Sequence, residues 1–189
     1  LSKAAISMML NSKTNKNFVL WITGLSGSGK TTLANSFVKR YKNRLPNMIM
    51  LDGDELRDII VDRDQERQSY ERNERIKIAL RYSFLCRLLH SQGISVVIST
   101  ISMFEEVYKW NRRNINNYVE IFLDIPLEEI RSRDPKGIYK KYHNKEIKNV
   151  AGLDLQVDRP KNPDLRVSLG SQKNSKNLEE KIYNLLLKG

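Results

Sequence analysis

Cysteine is nearly missing from this chain. Cys86 is the single thiol among 189 residues, so no disulfide can form within it. That excludes a disulfide-held scaffold, and the place of Cys86 in a helical apolar pattern assigns it to core packing in a reducing compartment. No apolar run reaches the roughly 20 residues that a membrane-spanning helix needs. Ala4 to Leu10 lacks the long apolar stretch and cleavage site of a signal peptide, so the expected location is the cytoplasm, without a membrane partner. Histidine is scarce as well: His90 and His143 have no visible partners and are assigned to surface or capping positions rather than catalysis. No segment repeats and nothing marks a second domain. Residues 1–16 read as a flexible leader and residues 17–189 as one domain, long enough to bury one substantial core. Acidic residues are outnumbered, with 22 Asp and Glu against 33 Lys and Arg and a formal net charge of +11. An excess of that size suits an anionic partner, but nucleic acid, membrane surface and a polyanionic small molecule satisfy it equally.

What the chain does contain is the run GLSGSGKTT, Gly24 to Thr32, preceded by Phe18-Val19-Leu20-Trp21-Ile22 and followed by Leu33-Ala34-Asn35-Ser36-Phe37-Val38. The loop therefore sits where a buried strand turns into a helix. Gly24, Gly27 and Gly29 permit backbone conformations that aim successive N–H groups at an anion, with the positive end of the helix behind them. Lys30 would reach the β- and γ-phosphates of ATP, and the Thr31 hydroxyl would ligate Mg²⁺. Ser26, Ser28 and Thr32 complete the expected phosphate cradle. A Gly/Ser linker that happens to contain a lysine is the competing reading. The complete G-x-x-x-x-G-K-[ST] pattern in its strand-to-helix setting disfavours it.

Strand and helix alternate along the rest of the chain. Strands are expected at Phe18 to Thr23, Met48 to Leu51, Ile94 to Thr100, Tyr118 to Asp124 and Leu165 to Leu169. Helices are expected at about Lys30 to Tyr41, Ser69 to Gln92, Phe104 to Asn114, just after Pro126, and Leu178 to Leu187. In the longest helix, Ile76, Leu80, Phe84 and Leu88 form one apolar face, widened by Ile78, Leu85 and Leu89. The alternation predicts an α/β fold: a parallel sheet of about five strands covered by helices on both faces, with ligands at the strand C-terminal ends. Asp52 and Asp54 follow the second strand, Ser99 and Ser102 the third, and Asp124 ends the fourth. Asp52-Gly53-Asp54 fits a helix cap and turn, yet carboxylates beside a phosphate site also suit Mg²⁺ and deprotonation of an attacking hydroxyl. Asp52 is the candidate metal ligand alongside Thr31. Arg57, one helical turn on, offers a fork of donors to a second anion.

GLSGSGKTT, DGDELR and the stretch RDPKGIYKK followed by EIKN and G-x-D closely resemble adenylylsulfate kinase, the P-loop kinase that phosphorylates the ribose 3′-hydroxyl of adenosine 5′-phosphosulfate. The resemblance runs from Phe18 to about Val167. It implies ATP and Mg²⁺ as cofactors, a small-molecule nucleotide acceptor, and a mobile basic lid over about residues 134–152 opened by Arg133, Asp134, Pro135, Lys136 and Gly137. It further implies Asp54 as the base for the 3′-hydroxyl, Lys30 and Lys136 as catalytic cations, and Arg133 on the donor nucleotide. Arg57 and Arg72 become acceptor-binding arginines, and Ile101-Ser102 line the acceptor ribose. Read from the residues alone, Lys140, Lys141, Lys145 and Lys148 are a solvated charged surface, and Tyr139 and Tyr142 pack the lid.

The departures concern the acceptor. The family sandwiches adenine between two phenylalanines, whereas Asp62 to Ser69 holds no aromatic residue and Val150 stands at the second position. Arg75 replaces an asparagine, Met103 a proline, and Gln156-Val157 a Pro-Tyr pair. Val150 would offer a smaller apolar wall, Arg75 would stack on a base or donate to a carbonyl, and Tyr70 or Phe104 would restore the stack by moving in. Relatives of the family in capsule pathways phosphorylate cytidine 5′-diphosphoramidate, and this acceptor is preferred here. Adenosine 5′-phosphosulfate in sulfate assimilation is the alternative. A nucleic-acid-binding or end-processing P-loop ATPase is a third reading, opposed by the lack of an aromatic and basic stacking platform. The oligomeric state stays open, a homodimer being one outcome.

Overall fold

The computed structural model describes residues 17–61, 70–168 and 175–188. The expected leader, the segment from Asp62 to Ser69 and Leu169 lie outside them. In chain order the elements are β1 (Val19–Gly24), α1 (Lys30–Tyr41), β2 (Met48–Asp52), α2 (Gly53–Ile60), α3 (Arg72–Ser91), β3 (Ser95–Thr100), α4 (Glu105–Asn114), β4 (Tyr118–Leu123), α5 (Leu127–Arg133), α6 (Ile138–His143), β5 (Leu165–Val167) and α7 (Ser175–Leu186). All strand pairings are parallel, in the order β2-β3-β1-β4-β5. The P-loop strand β1 is thus central, and the C-terminal ends of β2, β3 and β4 open beside it.

Successive side chains of a strand point to opposite faces. Leu20 and Ile22 accordingly join one core with Phe37 of α1 and Ile182 of α7, while Val19 and Trp21 join a second with Ile78, Ala79, Tyr82 and Cys86 of α3. A sheet buried on both sides explains why β1, β3 and β4 read as continuous rather than alternating apolar runs. Burying a side chain the size of Phe37 or Ile182 stabilises by about 1.5–3 kcal/mol relative to leaving it in water.

Helix α3 corrects one expectation. Of the stripe Ile76, Leu80, Phe84, Leu88, the first two pack partly buried against the second core, as do Leu85 and Leu89, but Phe84 and Leu88 turn outward, 51% and 54% exposed. Ile78, one of the expected widening residues, is buried together with Ala79, Tyr82 and Cys86, which the expected stripe left out. Both stripes recur every three or four residues, so the period does not select between them. The sheet face does, because fully buried Trp21 fills it and leaves room for small residues such as Ala79 and Cys86. Phe84 packs edge-on against Trp110 of α4, with ring centroids 4.7 Å apart.

Candidate active site

The loop after β1 is shaped by close approach. A Cβ on Gly24 would lie 2.8 Å from the Leu123 carbonyl oxygen of β4, a contact only glycine avoids. Gly29 caps α1 in the left-handed conformation, which sets the helix N-terminus and its N–H groups against the loop. Ser28 is fully buried, Ser26 and Gly27 are half-buried, and Thr31 and Thr32 are exposed at the start of α1. Lys30 folds back over the loop, donating from Nζ to the Leu25 carbonyl at 2.8 Å. Desolvation pulls its ammonium down to about 8, the carboxylates of Asp54 and Asp52 opposing the fall and Lys136 adding to it.

Asp52 ends β2 and receives three hydrogen bonds. Thr31 Oγ1 and Ser99 Oγ both donate to its Oδ2 at 2.8 Å, and the Asp54 N–H donates to Oδ1 at 2.9 Å, capping α2. Burial opposes ionisation, yet the donors from Ser99, Asp54 and Thr31 hold the carboxyl below its usual range. Asp52 is therefore both the helix cap and the partner of the P-loop hydroxyl. The oxygen-only pair Thr31 and Asp52 fits a hard cation such as Mg²⁺, which takes one or two protein oxygens and otherwise phosphates and water. Among the described residues no group of three or more His, Cys, Asp or Glu could hold a metal by itself.

Gly53 is wedged against β3: a Cβ there would meet Thr100 Oγ1 at 2.8 Å. Asp54, in the first turn of α2, is exposed and ion-paired with Lys136. The segment expected to be a lid leaves α5 through Asp134, whose Oδ2 accepts from the Lys140 N–H at 2.9 Å. It returns over the P-loop, where buried Tyr139 donates from its hydroxyl to the Ser26 carbonyl at 3.0 Å. Arg133 pairs with Glu129 on its own helix. Lys140, Lys141, Lys145 and Lys148 all lie exposed.

The third cluster joins α2 to the start of α3. The guanidiniums of Arg57 and Arg75 lie 4.9 and 5.3 Å from the centre of the Tyr70 ring. Arg75 is fixed by two carbonyls, donating from Nε to Tyr70 at 3.0 Å and from Nη2 to Asn149 at 2.8 Å. Burial lowers it to about 10, helped by repulsion from Arg57. Arg72 faces elsewhere, donating to the Gln156 carbonyl and Asp158 Oδ2, both at 2.8 Å, with its guanidinium over Phe104. Phe104 and Val150 are 2% and 6% exposed and belong to the two cores. Tyr70, half-buried, thus stands with Arg57 and Arg75, whereas Phe104 lies under Arg72 in the core. Ile101 is half-buried and its carbonyl accepts from Thr23; buried Ser102 has a φ of 24° and its Oγ lies 2.7 Å from Thr100 Oγ1. Asp124, at the end of β4, is engaged on both oxygens by Arg159 and Arg166, at 3.0 and 2.7 Å. Sequence reasoning passed over Tyr82, whose hydroxyl reaches the Gly53 carbonyl. A tyrosine within a stripe of small and aliphatic residues was the available sign, since a buried phenol needs a partner.

A phosphate-cradling loop between the central strand and first helix of a parallel sheet, with lysine, hydroxyl and carboxylates gathered at the strand ends, places this chain among the P-loop kinases. The adenylylsulphate kinase family model matches residues 16–168, and the chain belongs to that family. It is 41% identical over 174 residues to the cytidine diphosphoramidate kinase of Campylobacter jejuni, covering 92% of this chain and 97% of that protein. It is 39% identical over 153 residues to the adenylyl-sulfate kinase of Clostridium acetobutylicum, covering 80% and 74%. The structure of the Mycobacterium tuberculosis APS kinase CysC in complex with AMPPNP and APS superposes with a TM-score of 0.78 at 30% identity, covering 90% of this chain and 98% of that one. The chain is an ATP-dependent phosphotransferase of this family.

Proposed function

We propose that this kinase transfers the γ-phosphoryl group of ATP to the ribose 3′-hydroxyl of a 5′-activated nucleotide, with cytidine 5′-diphosphoramidate preferred over adenosine 5′-phosphosulfate. The new bond joins the 3′-oxygen to phosphorus, the bond from that phosphorus to the β-bridging oxygen breaks, and ADP leaves. Asp54 takes the hydroxyl proton, being exposed in the first turn of α2 beside the P-loop cations. The loop N–H groups and Lys30 hold the triphosphate, and Lys136 brings a second cation from the lid. Thr31 and Asp52 would hold Mg²⁺, which when bound neutralises charge on the phosphates. The reaction belongs to a cytoplasmic step of capsule phosphoramidate synthesis in this reading.

The observation that carries the acceptor half is the Arg57–Tyr70–Arg75 cluster. Two guanidiniums held close enough to repel each other favour an anion between or beside them, as the charged 5′ group of the acceptor supplies. Tyr70 adds an aromatic surface of the kind on which a base stacks. The identity of 41% across almost the whole chain favours the cytidine compound. The near equality of the 39% match leaves adenosine 5′-phosphosulfate as the second reading. The test is kcat/KM for the two acceptors under identical Mg²⁺-ATP conditions, with products resolved by mass and phosphate position. A clear preference for adenosine 5′-phosphosulfate would reject the cytidine proposal, and phosphate on any oxygen but the 3′ would reject the reaction.

A further inference from the structure

Helix α3 begins at the acceptor cluster and ends its first three turns at the catalytic turn. Arg75, Ile78, Ala79 and Tyr82 stand at i, i+3, i+4 and i+7 and share one face. Arg75 opens that face against Tyr70 and Asn149. Two turns later Tyr82, 3% exposed, donates from its hydroxyl to the carbonyl of Gly53 at 3.0 Å.

Gly53 lies between the two carboxylates of the site, and they are anchored unequally. Asp52 is fixed by Thr31, Ser99 and the Asp54 N–H. Among the described residues the Asp54 carboxylate pairs with the exposed Lys136 alone, so its position depends on the backbone that carries it. That backbone is gripped on one side by Thr100, against which no Cβ fits at Gly53, and on the other by the Tyr82 hydroxyl. We infer that Tyr82 is a positioning residue: its hydroxyl fixes the Gly53 carbonyl so that the Asp54 carboxylate meets the acceptor hydroxyl, and it ties that alignment to the helix that carries Arg75. This rests on Asp54 being the base. Tyr82 touches no substrate, and its phenol, pushed up to about 12 mainly by burial, stays protonated and a donor at working pH.

The experiment compares wild type with Tyr82→Phe, which keeps the ring and removes the hydroxyl. Cys86→Ala is the control: it thins the same buried face one turn further on. Tyr82→Phe should lower kcat roughly tenfold, the scale of one lost aligning hydrogen bond, with the KM for Mg²⁺-ATP and the Mg²⁺ half-saturation within about twofold of wild type. Cys86→Ala should lower the melting temperature and leave kcat within about twofold. In the ligand-free protein labelled with ¹³C-aspartate, Tyr82→Phe should shift the Asp54 carboxyl resonance and spare that of Asp52. Unchanged kcat, an unmoved Asp54 resonance, or equal movement of Asp52 with loss of Mg²⁺ affinity would each overturn the assignment. A wild type inactive on every acceptor would count against the proposed reaction, while the resonances would still decide for or against Tyr82.

Discussion

Lys136, between α5 and α6, and Asp54, in the first turn of α2, form an ion pair with side chains 52% and 68% exposed. At that exposure water screens the attraction, so the pair contributes little to stability. Lys136→Ala should therefore change unfolding free energy by less than about 0.5 kcal/mol, while kcat falls by an order of magnitude or more. Chemical denaturation and steady-state rates on one preparation check this; a stability loss matching the activity loss would make Lys136 structural.

Lys30 should make nucleotide binding pH-dependent. Its ammonium sits at about 8 in the free protein, below the 10.5 of an exposed lysine, so around pH 8 about half of the molecules lack this charge. Triphosphate favours the protonated form, so binding should take up protons near pH 8 and almost none at pH 6.5. Between about 8 and 10.5 the unfolded chain binds more protons than the folded one, so ligand-free stability should rise with pH across that window. Calorimetry in two buffers of different ionisation enthalpy reads the uptake. Equal heats at pH 8 would contradict it, and Lys30→Ala should abolish both the uptake and phosphoryl transfer.

Asp52 and Asp54 should separate by phenotype. Asp54→Asn keeps the shape but removes the proton acceptor, and losses of about a hundredfold in kcat are typical of a missing base. Asp52→Asn should instead raise the Mg²⁺ requirement, because its Oδ2 shares the Thr31 hydroxyl. Magnesium titrations of both variants decide the matter, and the reverse pattern would exchange the two roles.

Tyr70 should matter to the acceptor alone. Removing a stacking ring costs roughly 1–3 kcal/mol, so Tyr70→Ala should raise the acceptor KM about fivefold to a hundredfold, with Tyr70→Phe close to wild type. The KM for ATP should not move. A Tyr70→Ala variant with normal acceptor KM would remove the ring from the binding surface.

The shape of the loop and turn that make the candidate donor half was legible in the chain because their parts are neighbours in sequence. Gly24 to Thr32 run from the end of β1 through one loop into the first turn of α1, with a geometry that follows from glycine conformations and the helix behind it, and Asp52-Gly53-Asp54 is likewise contiguous. The sheet was legible too, since strands buried on both faces are continuously apolar and alternate with helices. What the sequence by itself determined is therefore what local backbone chemistry and hydrophobic pattern encode. Tertiary structure decided the rest. Thr31 and Ser99 meet on one Asp52 oxygen because β1, β2 and β3 end side by side, a fact set by strand order. Tyr70 stands with Arg57 and Arg75 while Phe104 lies in the core, although both aromatics looked equally available in sequence. In α3, two stripes of the same period competed, and the sheet beneath chose the one holding Ala79, Tyr82 and Cys86. Periodicity fixes how residues recur along a helix; which face is buried depends on the shape of the surface it meets.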